Sequence, residues 1–378
     1  MSTESPWPLL GGGGETPPTA AGGRCPNCTY PVTAWASFCE GCGAPLLPTE
    51  PPPPPSTTQG SAQTRRLGVA APVVTCPLCG GTIDADGYCQ TCGAKAPSRR
   101  DHLEVSAAAW LAGVCDRGVA HPRNEDAMAL WAAPDAPVGV LVVCDGVSTS
   151  SEADIASQAG VDRACGVLAG AALTATTPDA EVADLLVRAA AEANAAISEA
   201  TAVEGPHAGS ATFAAAVVLG DAVHFASLGD SRVYWLGDDG NLLLTRDDSV
   251  AQEFIEQGMP RAEAEAMPKA HAITRWLGSD ATDIAPRTGS HRPARDGWLL
   301  VCSDGLWNYA SEPDAVAVQL AAAAADDESP LAVARRLVVW ANAQGGHDNV
   351  TVAVARYPVR LEEPVVTGAT EEGDTIDG

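Results

Sequence analysis

Eight of the twelve cysteines are arranged as four Cys-x-x-Cys pairs, which form two groups near the N-terminus. Ten residues separate the pairs of the first group, nine separate those of the second, and Gly-Ala follows each second pair. Two such pairs let four thiolates surround one Zn²⁺ tetrahedrally, which leaves no coordination position for a substrate. We therefore predict two structural zinc sites, one formed by Cys25, Cys28, Cys39 and Cys42 and the other by Cys76, Cys79, Cys89 and Cys92.

Disulfide bonds are the alternative use of such cysteines, but they belong to oxidising compartments. The N-terminal stretch 1–14 has no basic residue before its short apolar piece, so a secretory signal is not expected. Four further cysteines stand singly in apolar surroundings, which is typical of core packing. These four are Cys115, Cys144, Cys165 and Cys302.

The repeated cysteine unit resembles the double zinc ribbon family over roughly 24–94. That family mostly provides interaction or assembly modules, so the resemblance implies a protein partner of unknown identity. Residues 43–75 separate the two ribbons and include Pro51–Pro55, and a proline run forms a stiff polyproline II spacer.

The charge balance argues against two classes of partner. The chain has 22 Lys+Arg and 48 Asp+Glu, for a formal net charge of −26. Residues 1–104 alone carry 6 Lys+Arg against 8 Asp+Glu, which makes nucleic acid a poor partner for the ribbons. An anionic membrane surface is equally unfavourable. No apolar run reaches the ~18 residues of a membrane span, so we expect a cytoplasmic protein.

The rest of the chain mixes strand and helix patterns. Strands are predicted at 127–131, 138–144, 212–219, 222–228, 233–236, 241–245, 298–302 and 350–355. Helices are predicted at 152–171, 178–201, 313–325 and 330–343. Runs of strands with helix pairs between them predict a layered α+β domain, not a doubly wound parallel sheet.

Carboxylates stand at the strand ends of this domain. Each of them alone could be ordinary turn chemistry. Together, at one edge of a sheet, they would form a self-repelling cluster unless cations neutralise it, and ligand sets made only of oxygen select Mg²⁺ or Mn²⁺. The acids in question are Glu125, Asp126, Asp145, Asp230, Asp304 and Asp348.

The ordered motifs that hold these acids resemble the metal-dependent type 2C protein phosphatase family over about 107–356. The motifs are Asp116-x-Gly118, Asn124-Glu125-Asp126, Asp145-Gly146, Gly209-Ser210-Ala211-Thr212, Gly229-Asp230-Ser231-Arg232, Ser303-Asp304-Gly305-Leu306-Trp307 and Asp348-Asn349. The resemblance implies a four-layer α-β-β-α sandwich of two antiparallel sheets flanked by helices. It also implies hydrolysis of phosphoserine and phosphothreonine in proteins by a metal-activated water.

Roles for individual residues follow only from this resemblance. Asp145 would bridge two metals, Asp304 and Asp348 would complete the first site, and Glu125 with the carbonyl of Gly146 would complete the second.

Asp126 would hold a water on a metal, and Asp230 with Asp304 would form a weaker third metal site. Residues 246–273 fall where the family has a mobile flap. The loop after Gly146 departs from the family, because Val147 and Ser148 follow where many members have Gly-Gly.

The phosphate-binding residue differs from the family pattern. Relatives usually have an arginine at the position of His121, whereas this chain has Arg123 two residues later. Side chains at i and i+2 of an extended segment share a face, so Arg123 could reach the same pocket. Arg123, His121 alone, and neither residue remain the three alternatives.

The sequence thus predicts seven segments. They are an N-terminal disordered stretch (1–23), zinc ribbon 1 (24–47), a proline-rich linker (48–73), zinc ribbon 2 (74–95), a short linker (96–104), the phosphatase domain (105–358) and an acidic disordered tail (359–378). The predicted function is a Mn²⁺- or Mg²⁺-dependent phosphatase acting on substrates of a serine/threonine kinase. The alternative is a catalytically weak scaffold that recruits a partner through its ribbons.

Overall fold

The computed structural model describes residues 75–359, apart from 77–78, 85–86, 94–95, 97, 204 and 206. The chain divides into two units, and every described residue belongs to the second, Val73–Gly378. The first predicted zinc site, the proline-rich linker and the acidic tail beyond 359 therefore lie outside the described residues.

The larger sheet has six strands in the order β1-β2-β13-β12-β8-β9, and neighbouring strands are antiparallel. Its strands are β1 (His102–Ala108), β2 (Leu111–Asp116), β13 (Val350–Tyr357), β12 (Gly297–Cys302), β8 (Arg232–Gly237) and β9 (Gly240–Leu243). β1 begins three residues before the predicted start of the domain at 105. This edge strand was not predicted, although its residues alternate between polar and apolar from His102 to Ala107.

The second sheet has five antiparallel strands in the order β11-β7-β6-β4-β3. They are β11 (Arg287–His291), β7 (Ala222–Leu228), β6 (Phe213–Leu219), β4 (Val138–Cys144) and β3 (Ala127–Ala132). A separate two-stranded ladder joins β10 (Leu277–Gly278) to β5 (Ser210–Ala211). Leu219 pairs with Ala222 around Gly220, which confirms the predicted hairpin.

Two pairs of helices cover the outer faces of the sheets. The long helices are α1 (Ala153–Ala169), α2 (Asp179–Ala200), α6 (Pro313–Ala324) and α7 (Pro330–Ala343). Three shorter ones are α3 (Val250–Glu256), α4 (Arg261–Glu265) and α5 (Asp304–Trp307). Each long helix lies within two residues of its predicted bounds, because proline or acidic residues mark the N-terminal ends and a regular apolar stripe marks the buried face.

The apolar side chains form three layers of core. Val140 and Val142 of β4 face α1 and α2, whereas Leu141 and Val143 face the other sheet. A third cluster packs α6 and α7 on the outer face of the six-stranded sheet. β4 is buried along its whole length because both of its faces are covered. These layers confirm the predicted four-layer sandwich of two antiparallel sheets flanked by helices.

No helix among residues 75–359, within the part that is described, is both long and apolar enough to cross a membrane.

Candidate metal centres

The four cysteines of the second ribbon lie together. Their sulfur atoms are all within 4.8 Å of one another, and the thiols are free. The Sγ–Sγ distances are 3.7 Å for Cys76–Cys92 and 3.4 Å for Cys79–Cys89. A tetrahedron of Zn–S bonds of ~2.3 Å has edges of about 3.8 Å, so the donor set and its spacing fit one zinc ion.

The two turns that bring these cysteines together have the same hydrogen-bond pattern. Gly80 donates its backbone N–H to the Cys76 carbonyl, and Gly93 donates to the Cys89 carbonyl, each at 2.8 Å. Both glycines have positive φ angles, 73° and 72°, which residues with a Cβ rarely adopt. The matching glycines explain how each Cys-x-x-Cys pair can turn both sulfurs toward one point.

The predicted acids of the large domain meet at one edge of the two sheets. Asp145 follows β4, and Asp304 follows β12. Glu125 and Asp126 precede β3, Asp348 precedes β13, and Asp230 lies between β7 and β8. In antiparallel sheets one edge contains the ends of some strands and the starts of their neighbours, which is the pattern seen here.

Burial and mutual repulsion act on these carboxyl groups. Burial, with the charges of Asp348 and Asp126, raises the pKa of Asp304 to about 7. Burial raises the pKa of Asp126 to about 7 as well. Burial and the charges of neighbouring aspartates, including Asp230, raise the pKa of Asp145 well above its usual range. The structure therefore brings the predicted acids into a single electrostatic cluster.

Two oxygen atoms of the cluster have no hydrogen-bond partner among the described residues. They are Oδ1 of Asp126 and Oδ1 of Asp304, and both are buried. A buried polar atom without a partner costs about 1–3 kcal/mol, and more when it is charged. Divalent cations would satisfy these atoms and reduce the repulsion, so the donor set fits hard metal ions.

Hydrogen bonds also fix the second carboxylate oxygen of Asp126 and the backbone of Glu125. Ser303 Oγ and Thr351 Oγ1 donate to Asp126 Oδ2 at 2.6 Å and 2.7 Å. Asn349 Oδ1 accepts the Glu125 backbone N–H at 2.7 Å. No role for Ser303, Thr351 or Asn349 was predicted, although Ser303 and Asn349 stand inside the quoted motifs. These contacts depend on the pairing of distant segments, which local sequence patterns do not reveal.

The strand ends at Asp145 and Asp230 are cross-linked in the same way. The Asp145 backbone N–H donates to Thr212 Oγ1 at 2.9 Å, and Thr212 Oγ1 lies 2.7 Å from Ser231 Oγ. Trp307 Nε1 donates to the Asp230 carbonyl at 2.9 Å. The backbone at both acids is thus fixed before any ligand binds.

Glycine is required at position 146 because backbone atoms of other segments lie very close to it. A Cβ at this position would lie 2.5 Å from the Ala153 carbonyl oxygen and 2.7 Å from that of Glu125. The Gly146 N–H also donates to the Glu125 carbonyl at 3.2 Å. Glycine therefore lets the segments of Asp145 and Glu125 approach each other.

The two candidate phosphate-binding residues contact different acids. Arg123 Nε donates to Glu125 Oε1 at 2.6 Å, and its Nη2 lies 2.5 Å from the same oxygen. His121 Nε2 lies 3.3 Å from Asp348 Oδ1. The Arg123 side chain is 49% exposed and that of His121 is 25% exposed. Both side chains lie at the accessible rim of the acid cluster.

Residues 246–273, predicted as the flap, contain α3 and α4. The base of this segment is held by Arg232, which is fully buried. Its Nη2 lies 2.6 Å from Asp247 and 3.1 Å from Glu265, and its guanidinium lies 3.6 Å from the centre of the Trp307 ring. A cavity of about 410 Å³ lies between the loop 147–150 and residues 271–276. The end of the segment, residues 271–273, therefore lines one side of this cavity.

Comparison with known proteins agrees with this architecture. The family model described as protein phosphatase 2C matches residues 119–340. The chain is 31% identical over 269 residues to the serine/threonine protein phosphatase PstP of Mycobacterium tuberculosis, covering 68% of this chain and 48% of the relative. The chain thus spans about half the length of that curated relative.

Solved structures with the same fold include the serine/threonine phosphatase of S. agalactiae. That structure is 27% identical, has a TM-score of 0.54, and aligns with 64% of this chain and 96% of its own. The catalytic domain of PstP, solved in complex with two manganese ions, is 26% identical with a TM-score of 0.52. It aligns with 65% of this chain and 96% of its own.

Proposed function

The chain belongs to the protein phosphatase 2C family, and from that premise we propose that it is a metal-dependent serine/threonine protein phosphatase. The observation that carries the proposal is the acid cluster with its two unpartnered buried oxygens, on Asp126 and Asp304. The substrates we propose are phosphoserine and phosphothreonine in proteins that a serine/threonine kinase has modified. We therefore propose a role in phosphorylation signalling.

The acid cluster is the proposed binding site for two Mn²⁺ or Mg²⁺ ions. Asp145 would contribute to both ions, Asp304 and Asp348 to the first, and Glu125 with the Gly146 carbonyl to the second. All of these donors are oxygen atoms, which hard divalent cations prefer and softer metals do not. The manganese ions of the PstP structure support this choice of metal.

Asp230 lies in the same cluster and is the proposed ligand, with Asp304, of a third and weaker ion. Burial and the charge of Asp304 raise the pKa of Asp230 well above its usual range. A further cation beside these two residues would offset that repulsion.

The mechanism follows from what the side chains can do around the metals. When bound, the metals supply a water of lowered pKa and positive charge for the phosphoryl oxygens. Ser303 and Thr351 occupy Oδ2 of Asp126 and leave its Oδ1 free, so Asp126 can orient the attacking water through that atom. No side chain of the cluster needs to form a covalent bond to phosphorus.

The direct test is release of phosphate from a phosphothreonine peptide by the full-length chain. We expect hydrolysis only with added Mn²⁺ or Mg²⁺, because the metals would supply the water of lowered pKa and the positive charge. Absence of hydrolysis at every metal concentration, by protein shown to bind Mn²⁺, would instead favour a scaffold that recruits its partner through the ribbons.

The phosphate contact gives a second prediction. We propose that Arg123, together with or instead of His121, binds the phosphoryl oxygens, because its half-exposed guanidinium lies beside Glu125 at the rim of the acid cluster. A charge-assisted hydrogen bond contributes about 1.5–3 kcal/mol, so Arg123→Ala should raise KM about tenfold at saturating Mn²⁺. His121→Ala is the matched variant and should raise KM less. An unchanged KM in Arg123→Ala, with a raised KM in His121→Ala, would transfer the role to His121.

The cysteine pairs are the proposed ligands of two structural Zn²⁺ ions. The second site fits zinc by its donor set and spacing, and the first, formed by Cys25, Cys28, Cys39 and Cys42, repeats its sequence pattern. We propose that the ribbons bind a protein partner and that the protein works in the cytoplasm, where thiols stay reduced. The negative net charge of the chain makes nucleic acid and anionic membranes unfavourable partners.

A further inference from the structure

The segment between ribbon 2 and β1 forms an ordered turn against the large domain. The Ser98 N–H donates to Asp101 Oδ2 at 2.9 Å, and the Asp101 N–H donates to the Ser98 carbonyl at 3.0 Å. The Arg117 N–H donates to the Asp101 carbonyl at 2.8 Å. The turn 98–101 was predicted as part of a linker, but these bonds attach it to the end of β2.

Arg100 extends from this turn to the acid cluster. Its Nη2 donates to the Asp126 carbonyl at 2.9 Å, and its Nη1 donates to Gln158 Oε1 at 2.8 Å. Its own carbonyl accepts a hydrogen bond from Asn124 Nδ2 at 2.8 Å. Arg100 therefore holds the segment Asn124-Glu125-Asp126 from both ends and ties it to α1.

These contacts concern a segment that supplies proposed metal ligands. Groups that hold a ligand in place usually change metal affinity about 10–100-fold when they are removed. Here the bond from Arg100 to Asp126 is charge-assisted and directed at the backbone, so it fixes the chain and not only one side chain. A displaced backbone at Asp126 would move the neighbouring Glu125 carboxylate as well.

The segment that connects ribbon 2 to the same turn is very short. The Ala96 N–H donates to the Gly87 carbonyl of the ribbon at 2.6 Å. Only one residue separates Ala96 from Ser98, where the ordered turn begins. Loss of the ribbon fold would therefore release the turn on its N-terminal side.

We propose that Arg100 is a positioning residue for Glu125 and Asp126, and that through it the folded ribbon 2 increases the affinity of the acid cluster for divalent cations. The proposal rests on the proposed metal site and adds a link between the two kinds of metal centre. A zinc-free ribbon 2 would leave the large domain folded but would weaken its cation binding.

The test is direct Mn²⁺ binding to the full-length chain, measured as free Mn²⁺ by electron paramagnetic resonance. Arg100→Ala should bind Mn²⁺ about tenfold more weakly than the parent. The neighbouring Arg99 is exposed and makes none of these contacts, so Arg99→Ala is the matched control and should bind like the parent. Equal Mn²⁺ affinity in Arg100→Ala and the parent would overturn the proposal.

Two further readouts separate positioning from a merely structural role. The unfolding temperature without added Mn²⁺ should be nearly the same in Arg100→Ala and the parent. Peptide turnover by Arg100→Ala should return toward the parental value at saturating Mn²⁺, because the ligands remain present. A large fall in the unfolding temperature, with no recovery of turnover, would mean that Arg100 only stabilises the fold and would overturn the proposal.

The link to the ribbon is tested with Cys89→Ser, alone and combined with Arg100→Ala. Cys89→Ser should weaken Mn²⁺ binding in the parent but add little in the Arg100→Ala background, because both changes act on the same contact. Unchanged Mn²⁺ affinity in Cys89→Ser would overturn the link. A parent that binds no Mn²⁺ would instead overturn the proposed metal site, and this inference with it.

Discussion

An Asp304→Ala variant of the full-length chain should lose about a thousandfold in kcat/KM for a phosphothreonine peptide, which corresponds to about 4 kcal/mol of transition-state stabilisation. Asp304 is the proposed ligand of the first ion and a contributor to the third, so its removal should take away metal charge where phosphoryl charge develops. The measurement is the initial rate of phosphate release at saturating Mn²⁺.

The same substitution should not destabilise the metal-free protein. The pKa of Asp304 is raised to about 7, from an unfolded value of about 3.9, so its ionised carboxyl group lowers folding stability once the pH rises through that range. At pH 8 and without added metal, Asp304→Ala should therefore unfold at the parental temperature or above it. Asp221 is exposed in the β6–β7 turn, and Asp221→Ala should keep full activity. An Asp304→Ala variant as active as the parent would refute the metal assignment.

Zinc removal is the second large effect that we expect. Structural zinc contributes apparent free energies of about 10–16 kcal/mol in small domains, so ribbon 2 should lose its fold when one ligand is lost. Elemental analysis should find about two zinc ions per chain in the parent and about one in Cys89→Ser. Hydrogen exchange should become fast around Cys76–Gly93 in the variant.

The matched control is Cys165→Ser, because Cys165 is a free cysteine of the apolar core outside the paired set. This variant should keep both zinc ions. Parent protein purified without chelator and free of zinc would contradict the proposed role of the cysteine pairs.

The parts of the fold that the sequence predicted are those with strong local signals. β4 and β12 are continuous apolar runs because both of their faces are covered, and α2 has a clear apolar stripe. β1, β2 and β11 were not predicted. β11 lies at a sheet edge and reads Arg-Thr-Gly-Ser-His, so it has no pattern that distinguishes a strand from a loop, whereas β1 and β2 have strand patterns that the prediction overlooked.

The sequence predicted which acids belong to the candidate site, but it did not predict the hydrogen bonds that hold them in place. The acids could be picked out because each stands beside a strand within a recognisable motif. The bonds from Ser303 and Thr351 to Asp126 depend on how β12 pairs with β13, which no local pattern specifies. Arg100 was assigned to a linker because its segment lacks periodicity, although its side chain reaches Asp126.

The central claim is that the buried carboxylates hold the cations on which hydrolysis depends. X-ray diffraction from crystals of the full-length chain grown with Mn²⁺, recorded on both sides of the manganese absorption edge, tests it most directly. We expect two anomalous peaks, both at coordination distance from Asp145. One should also be coordinated by Asp304 and Asp348, and the other by Glu125. Fully ordered carboxylates with no manganese peak among them, in crystals whose protein hydrolyses the peptide, would contradict the claim.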